Sequence, residues 1–322
     1  MNLHVVWFKD WHAAIEEALK SLPESDNCPH ELLKKLMEVP GTTPKRTALV
    51  TENGVPKAVA VLRQRGHHWE PVTTWIVPGI VAPSLQGDLI PALEALGFNI
   101  NVAWWRMSTS LPRSRLMRSS ECTPTYRIDF SNDFEDYWRQ NGYFKTIRGK
   151  RNRCQKLTLK INAPGAAEWT IRNWEIKWRE QPTIINPELF DRIAAAQYLE
   201  NLGFHFTISL FDKDKIVGGA TLTKHQNDLV AGVIYREPEY EWHGVGVRLI
   251  DLSISFAHEN GFDGIDLGGG HEYKRHWAPM AGQHWLFNIC PGYIYQGRRI
   301  LNWGRKLDKN TRIWIHNLRR VD

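Results

Sequence analysis

The chain has 322 residues, 42% hydrophobic and 24% charged, with a formal net charge of +6. That length suits two domains of ordinary size, and the composition is that of a soluble globular protein rather than a disordered or fibrous one. No run reaches the ~18 apolar residues of a membrane span, and the positive balance points to an anionic partner.

The N-terminus lacks a secretion signal, and Cys28, Cys122, Cys154 and Cys290 show no C-x-x-C spacing. This argues against a zinc knuckle or a disulfide framework and predicts a cytoplasmic protein. The first third reads as mixed helix and strand. "DWHAAIEEALKSLP" places Ala14, Ile15, Ala18, Leu19 and Leu22 at helical spacing and stops at Pro23. "RTALVTENGVPKAVAVLRQR" predicts two strands joined at Asn53-Gly54. A strand in "VTTWIVPGIVAP", a helix in "LQGDLIPALEALGFN" closed by Gly97, and a strand in "INVAWWRMS" follow.

After a strand at Tyr126–Phe130, Ser131 caps a helix with Phe134, Tyr137 and Trp138 on one face. The run "KTIRGKRNRCQK" then carries six basic residues and no acid, either a solvated helix face or a groove for a polyanion. "EWTIRNW" alternates like a strand, and "NPELFDRIAAAQYLENLG" reads as a helix ended by Gly203. Three strands with polar turns follow, then a helix opened by Gly244-x-Gly246 and closed by Gly261, and the strand "FDGIDLGGG". Glycines there let backbone approach a ligand, and the free N–H groups of a helix start bind phosphate oxygens; the same glycines also serve a plain tight turn. A dinucleotide fingerprint is absent, because the third glycine is missing and the strands before it are hairpin-linked.

"IDLGGGHEYKRHWAP" begins like a zinc-protease helix at His271-Glu272, but the next histidine is His276. Five residues turn a helix about 500°, which leaves the two rings about 140° apart instead of on one face. Metal ligation is therefore not expected here.

In the order of its elements the chain resembles the GNAT acyltransferase superfamily, where a meander precedes a pyrophosphate turn of the form Arg/Gln-x-x-Gly-x-Gly/Ala. Here the turn is Glu241-Trp242-His243-Gly244-Val245-Gly246, with both glycines and a glutamate in the basic position. A closer resemblance is to the CelD-like acetyltransferases of bacterial polysaccharide biosynthesis and, more distantly, to FemAB-type aminoacyltransferases. Those chains run an aromatic helix into a basic one, as in "FEDYWRQNGYFKTIRGKRNRCQKL", and end with a Tyr-Lys-x-x-Trp-like segment, as in "IDLGGGHEYKRHW". The resemblance spans Tyr126 to Pro279 and reaches the first third only in outline.

The resemblance implies an α+β fold, a GNAT-like mixed sheet with helices on both faces. It implies a tandem, with a degenerate GNAT-like half at 1–125 and the acyltransferase domain at 126–322. The reaction implied is transfer from an acyl-CoA, acetyl-CoA by default, to a small-molecule or saccharide acceptor by direct attack on the thioester. Tyr273 then protonates the leaving group, and Asp266 or His271 accepts the nucleophile's proton. Ile234, Tyr235 and Arg236 hold the donor through their backbone, Gly244, Val245 and Gly246 hold its pyrophosphate, and Lys274 meets a phosphate. Arg148, Arg151 and Arg153 line the substrate side.

Asp266 has a structural alternative, bonding backbone amides at the strand end, and Trp277 reads as packing. Two further readings stay open: an aminoacyl-tRNA-dependent transferase with tRNA on the basic run, and a degenerate binding module. The basic stretch "GRRILNWGRKLDKNTRIWIHNLRR" is either a tail docked on the core or a membrane-surface segment. The sequence fixes no oligomeric state.

Overall fold

The computed structural model describes residues 3–23, 28–41, 43–65, 68–73, 79–81, 92, 95, 104–107, 117–130, 133–179, 187–269 and 272–289. Ser131, His271, most of the expected helix before Gly97 and the basic C-terminal stretch lie outside the described residues.

The N-terminal third contributes β1 (Leu3–Phe8), α1 (Ala13–Ser21), α2 (His30–Glu38), β2 (Lys45–Glu52), β3 (Val55–Arg65), β4 (His68–Pro71) and β5 (Ile80–Val81). Strands β1-β2-β3-β4 form an antiparallel sheet in that order, with β5 also on β3. The β2–β3 hairpin turns on Asn53 and Gly54, both at positive φ (50° and 80°), as a tight two-residue turn demands. Helix α1 starts on His12, whose Nδ1 accepts from the Ala14 N–H at 3.1 Å, and buries Ile15, Ala18 and Leu19.

The rest of the chain adds β6 (Trp104–Met107), β7 (Met117–Asp129), α3 (Phe134–Gln140), α4 (Phe144–Arg153), β8 (Thr158–Ile161), α5 (Ala166–Arg179) and α6 (Pro187–Asn201). It continues through β9 (His205–Asp212), β10 (Lys215–His225), β11 (Asp228–Arg236), α7 (Val245–Glu259), β12 (Gly264–Gly269) and β13 (Met280–Ile289). These strands form one eight-stranded mixed sheet, β6-β13-β7-β12-β11-β10-β9-β8. Among the described residues its one parallel pair is β11–β12, because helix α7 carries the chain back between them. Strand β7 crosses the expected 125/126 division, and β6 of the first third edges the large sheet.

The two faces of the large sheet differ in chemistry. Toward α3, α4 and α7 it presents Ile208, Leu210, Ala220, Leu222 and Leu229, joined by Ile147 and Leu249 in the main core. Toward α5 and α6 the same strands present His205, Thr207, Ser209, Thr221 and Thr223, all buried, and the apolar cluster is small. A Cβ on Gly219 would overlap Thr170 of α5, so glycine lets that helix settle directly on the strand.

"EWTIRNW" is therefore a correction: it lies in helix α5, not in a strand. The buried face runs through Ala167, Thr170, Ile171 and Glu175 at helical spacing. Two of these are polar: Thr170 meets Gly219 of β10 and Glu175 pairs with Arg192 of α6, so the apolar residues alone did not mark the buried face.

Helix α6 belongs to both halves. Ile193 and Ala196 face the large sheet, whereas Ala195 and Leu199 complete the N-terminal core with Leu32 and Leu33. Arg63 of β3 donates to Asp191 of α6 at 2.8 Å with both side chains largely buried. The Tyr198 hydroxyl donates to Glu38 at 2.6 Å.

Removing the carboxylate charge in Asp191→Asn breaks the buried pair that joins β3 to α6. A loss of about 3 kcal/mol is expected from urea unfolding, and a change within about 0.5 kcal/mol would show that the pair contributes nothing net. A second prediction concerns His205, whose Nδ1 lies 3.1 Å from Thr223 Oγ1. Burial, aided by Arg192, pushes its pKa from 6.5 down to about 3. As pH falls below 6.5 the unfolded chain takes the proton first, so stability is lost progressively between 6.5 and about 3. The loss is about 1.4 kcal/mol per pH unit for one proton. Urea midpoints at pH 7 and 5 should converge in His205→Gln and diverge in the unsubstituted protein.

Candidate active site

Strands β11 and β12 stay in register only at Asp228↔Gly264, Leu229↔Ile265 and Val230↔Asp266, and then part. The cause lies on the other edge of β12, where its pairing with β7 slips between Asp266 and Gly269. Asp266 shapes that bulge: Oδ1 accepts from the Gly268 N–H at 2.8 Å and Oδ2 from the Thr125 hydroxyl at 3.1 Å. Gly268 takes φ 75°, and a Cβ there would lie 3.0 Å from the Ala231 carbonyl oxygen. The closed end of the V is clamped by Arg127, whose Nε and Nη2 each donate to Asp228 at 2.8 Å. That arrangement holds Arg127 strongly protonated. A Cβ on Gly264 would lie 2.6 Å from Arg127 Nη2, so glycine makes room for the clamp.

Beside the open end, Gly244 caps α7 in the left-handed region (φ 82°, ψ 30°). The aliphatic stem of Lys150 lies over Gly244 closely enough that a Cβ would overlap it. Arg236 extends from the end of β11 to the first turn of α7, its Nε 3.5 Å from where a Gly246 Cβ would stand. Its guanidinium is ion-paired with Glu241. The glutamate in the expected basic position is thus neutralised, and the cation at this turn comes from the preceding strand. Backbone groups of Ile234 to Arg236 run along β10 on one side, at Ala220, Gly219 and Gly218, and along the opened V on the other.

Helix α4 is strapped to α7. Arg151 donates through Nε and Nη2 to the fully buried Asp251 at 2.9 and 2.6 Å, which raises its pKa. Arg248 shares the same carboxylate. Arg153 donates to the Trp242 carbonyl at 3.1 Å, and the Cys154 thiol to the His243 carbonyl at 3.7 Å. Arg148 is exposed. The three arginines expected on the substrate side therefore diverge: Arg151 ties the two helices together, Arg153 braces the turn and Arg148 faces solvent.

The segment after β12 folds as a short 3-10 turn, Glu272–His276. Trp277 anchors it, 1% exposed, with its ring 6.1 Å from Trp138 and 5.4 Å from Tyr143. Packing is its role, as expected. Tyr273 is 46% exposed, and the surrounding protein still raises the pKa of its phenol, which keeps its proton at neutral pH. Lys274 turns inward. Its Nζ lies 3.5 Å from the position of a Gly268 Cβ, at the mouth of the V. Burial lowers its pKa to about 8, and Asp266 opposes that shift. Asp266 itself is fully buried, with both carboxylate oxygens occupied by the bulge.

Sequence reasoning missed the inward Lys274, the side chain of Arg236 and the Arg127 clamp. Their one local signal was glycine: Gly264, Gly268 and Gly246 each face one of these cations.

A family model described as an acetyltransferase (GNAT) domain matches residues 142–275, from α4 through the turn after β12. No curated protein sequence matches the chain at a significant level. Among solved structures, a tandem GNAT protein from the clavulanic acid biosynthesis pathway is 11% identical. The alignment covers 89% of this chain and 97% of that one, with a TM-score of 0.51. FemX is 13% identical over 92% and 99% of the two chains, at a TM-score of 0.48. The C-terminal domain of a lysylphosphatidylglycerol synthetase from Agrobacterium fabrum, described there as putative, is 11% identical over 89% and 94%, at 0.47. The fold is thus a mixed sheet with helices on both faces, of the kind seen in a tandem GNAT protein, and residues 142–275 are the stretch similar to the acetyltransferase (GNAT) domain model.

Proposed function

We propose that the chain transfers an acyl group from acyl-CoA, acetyl-CoA by default, to a small-molecule or saccharide acceptor. The observation that carries this reading is the parting of β11 from β12 beside the glycine turn of α7, within the stretch that matches the GNAT domain. An extended thioester arm can pair with the strand edge that β12 has left, next to Ile234, Tyr235 and Arg236. The donor's pyrophosphate then meets the free N–H groups of Val245 and Gly246. Lys150, whose side chain lies over Gly244, supplies positive charge beside that turn, with Arg236 paired to Glu241 next to it.

The acceptor's nucleophile attacks the thioester carbonyl, and the departing thiolate needs a proton. Tyr273 suits that role because its phenol is protonated and partly exposed. Asp266 is committed to the bulge, which leaves His271 of the two expected bases. The family model that matches 142–275 favours acyl-CoA as donor. The exposed face of α4, with Lys145, Arg148 and Arg153, supports tRNA as the second reading of the donor. Glu241 no longer favours it, since Arg236 balances its charge.

Calorimetry with acetyl-CoA and longer acyl-CoAs tests the donor. Binding at sub-millimolar concentration is expected, and silence from folded protein would remove CoA; in that case, salt-sensitive tRNA binding lost on reversal of Arg148 and Arg153 would favour the second reading. With a donor in hand, Tyr273→Phe should lower the chemical step about 10²–10⁴-fold while donor affinity and unfolding stay close to the unsubstituted protein. Turnover within a few-fold would make Tyr273 a packing residue.

A further inference from the structure

Among the described residues, Lys274 brings its ammonium group to the mouth of the V, 3.5 Å from the position of a Gly268 Cβ. The short turn that carries it is fixed from behind by Trp277, and its ammonium group lies in van der Waals range of the Gly268 Cβ position. Asp266 faces it from β12, and Tyr273 precedes it in the turn. An amine held there stands beside the Ala231 and Gly268 backbone, where the two strands separate. If the donor's thioester arm lies along β11, its carbonyl carbon comes within reach of this nitrogen before any acceptor is bound.

From this geometry we infer that Lys274 is a self-acylation site, modified by the protein's own bound acyl-CoA when no acceptor is present. The inference rests on the acyl-CoA reading of the site. The neutral amine attacks the thioester carbonyl; an N–C bond forms as the C–S bond breaks. The nitrogen gives up one proton, which ends on the departing thiolate. The products are an N-acyl-lysine and CoA thiol, with no oxidant or other reactant consumed. The reaction is open to this lysine because burial keeps a usable share of it unprotonated near neutrality. The acylated side chain is uncharged and longer, so it fills the V and blocks a second donor. The site would then be silenced in proportion to donor left unused.

The test is incubation of the full chain with acetyl-CoA alone, followed by mass spectrometry of the intact protein and of the peptide holding Lys274. One acetyl group should appear on Lys274, about two orders of magnitude faster than on an exposed surface lysine at pH 7.5, because a pKa of about 8 leaves about a quarter of Lys274 neutral against about 0.1% at an ordinary lysine pKa. Lys274→Arg, which keeps the charge, should abolish that label. Protein acetylated on Lys274 should bind acetyl-CoA at least about ten-fold more weakly than unlabelled protein, or 1.4 kcal/mol, as a longer side chain filling the V requires. Calorimetry on the same samples separates the two ways to fail. Bound acetyl-CoA without label on Lys274, or label spread evenly over surface lysines, overturns the inference and leaves the donor reading standing. No bound acetyl-CoA overturns both, through the premise.

Discussion

Strand β12 has two neighbours and cannot satisfy both along its length. It keeps step with β7 through a bulge, and the bulge takes it out of step with β11. The Asp266 carboxylate sets this conflict, because it accepts from the Gly268 N–H two residues on and from Thr125 of β7. At the other end, the Arg127–Asp228 clamp holds the strands together. A mixed sheet normally leaves no free edge in its interior. Here one is created by design of the register, and the backbone it frees is what a donor arm can use.

Around this opening the molecule is braced by charges that sequence neighbours do not supply. Arg151 and Asp251 stand a hundred positions apart yet form a two-pronged pair in the structure. They fix α4 against α7, and with Lys150 over Gly244 they define the floor of the turn. Part of the basic run is therefore internal structure, and the exposed remainder is what is left to meet a ligand. A buried carboxylate engaged by two guanidinium groups also explains why so basic a helix can lie against the core.

The fold class was legible because long apolar patterns and glycine punctuation survive without tertiary information. The Asn53-Gly54 hairpin, the three-strand meander and the Gly244-x-Gly246 helix start all depend on local backbone chemistry. Helix α5 was not legible, because the polar Thr170 and Glu175 lie on its buried face. The direction of Lys274 was not legible for a related reason: in a 3-10 turn, the direction of a side chain depends on what anchors the turn, here Trp277. The partner of Glu241 was invisible, since Arg236 meets it only through the path of the turn. The positions of Tyr273 after β12 and of Gly244 and Gly246 at the start of α7 were legible because they follow from the order of strand, turn and helix.

Strand β7 also carries a consequence for how the chain is made. Both of its neighbours come late: Gly264 opens β12 far downstream, and Met280 of β13 follows Asp129 by 151 residues. At about 5–20 residues per second a ribosome needs roughly 8–30 s to deliver that length. Throughout this interval the thirteen-residue β7 has two bare edges, each able to template pairing with another nascent chain. Strand β7 thus waits for both partners until the last part of the chain has been made.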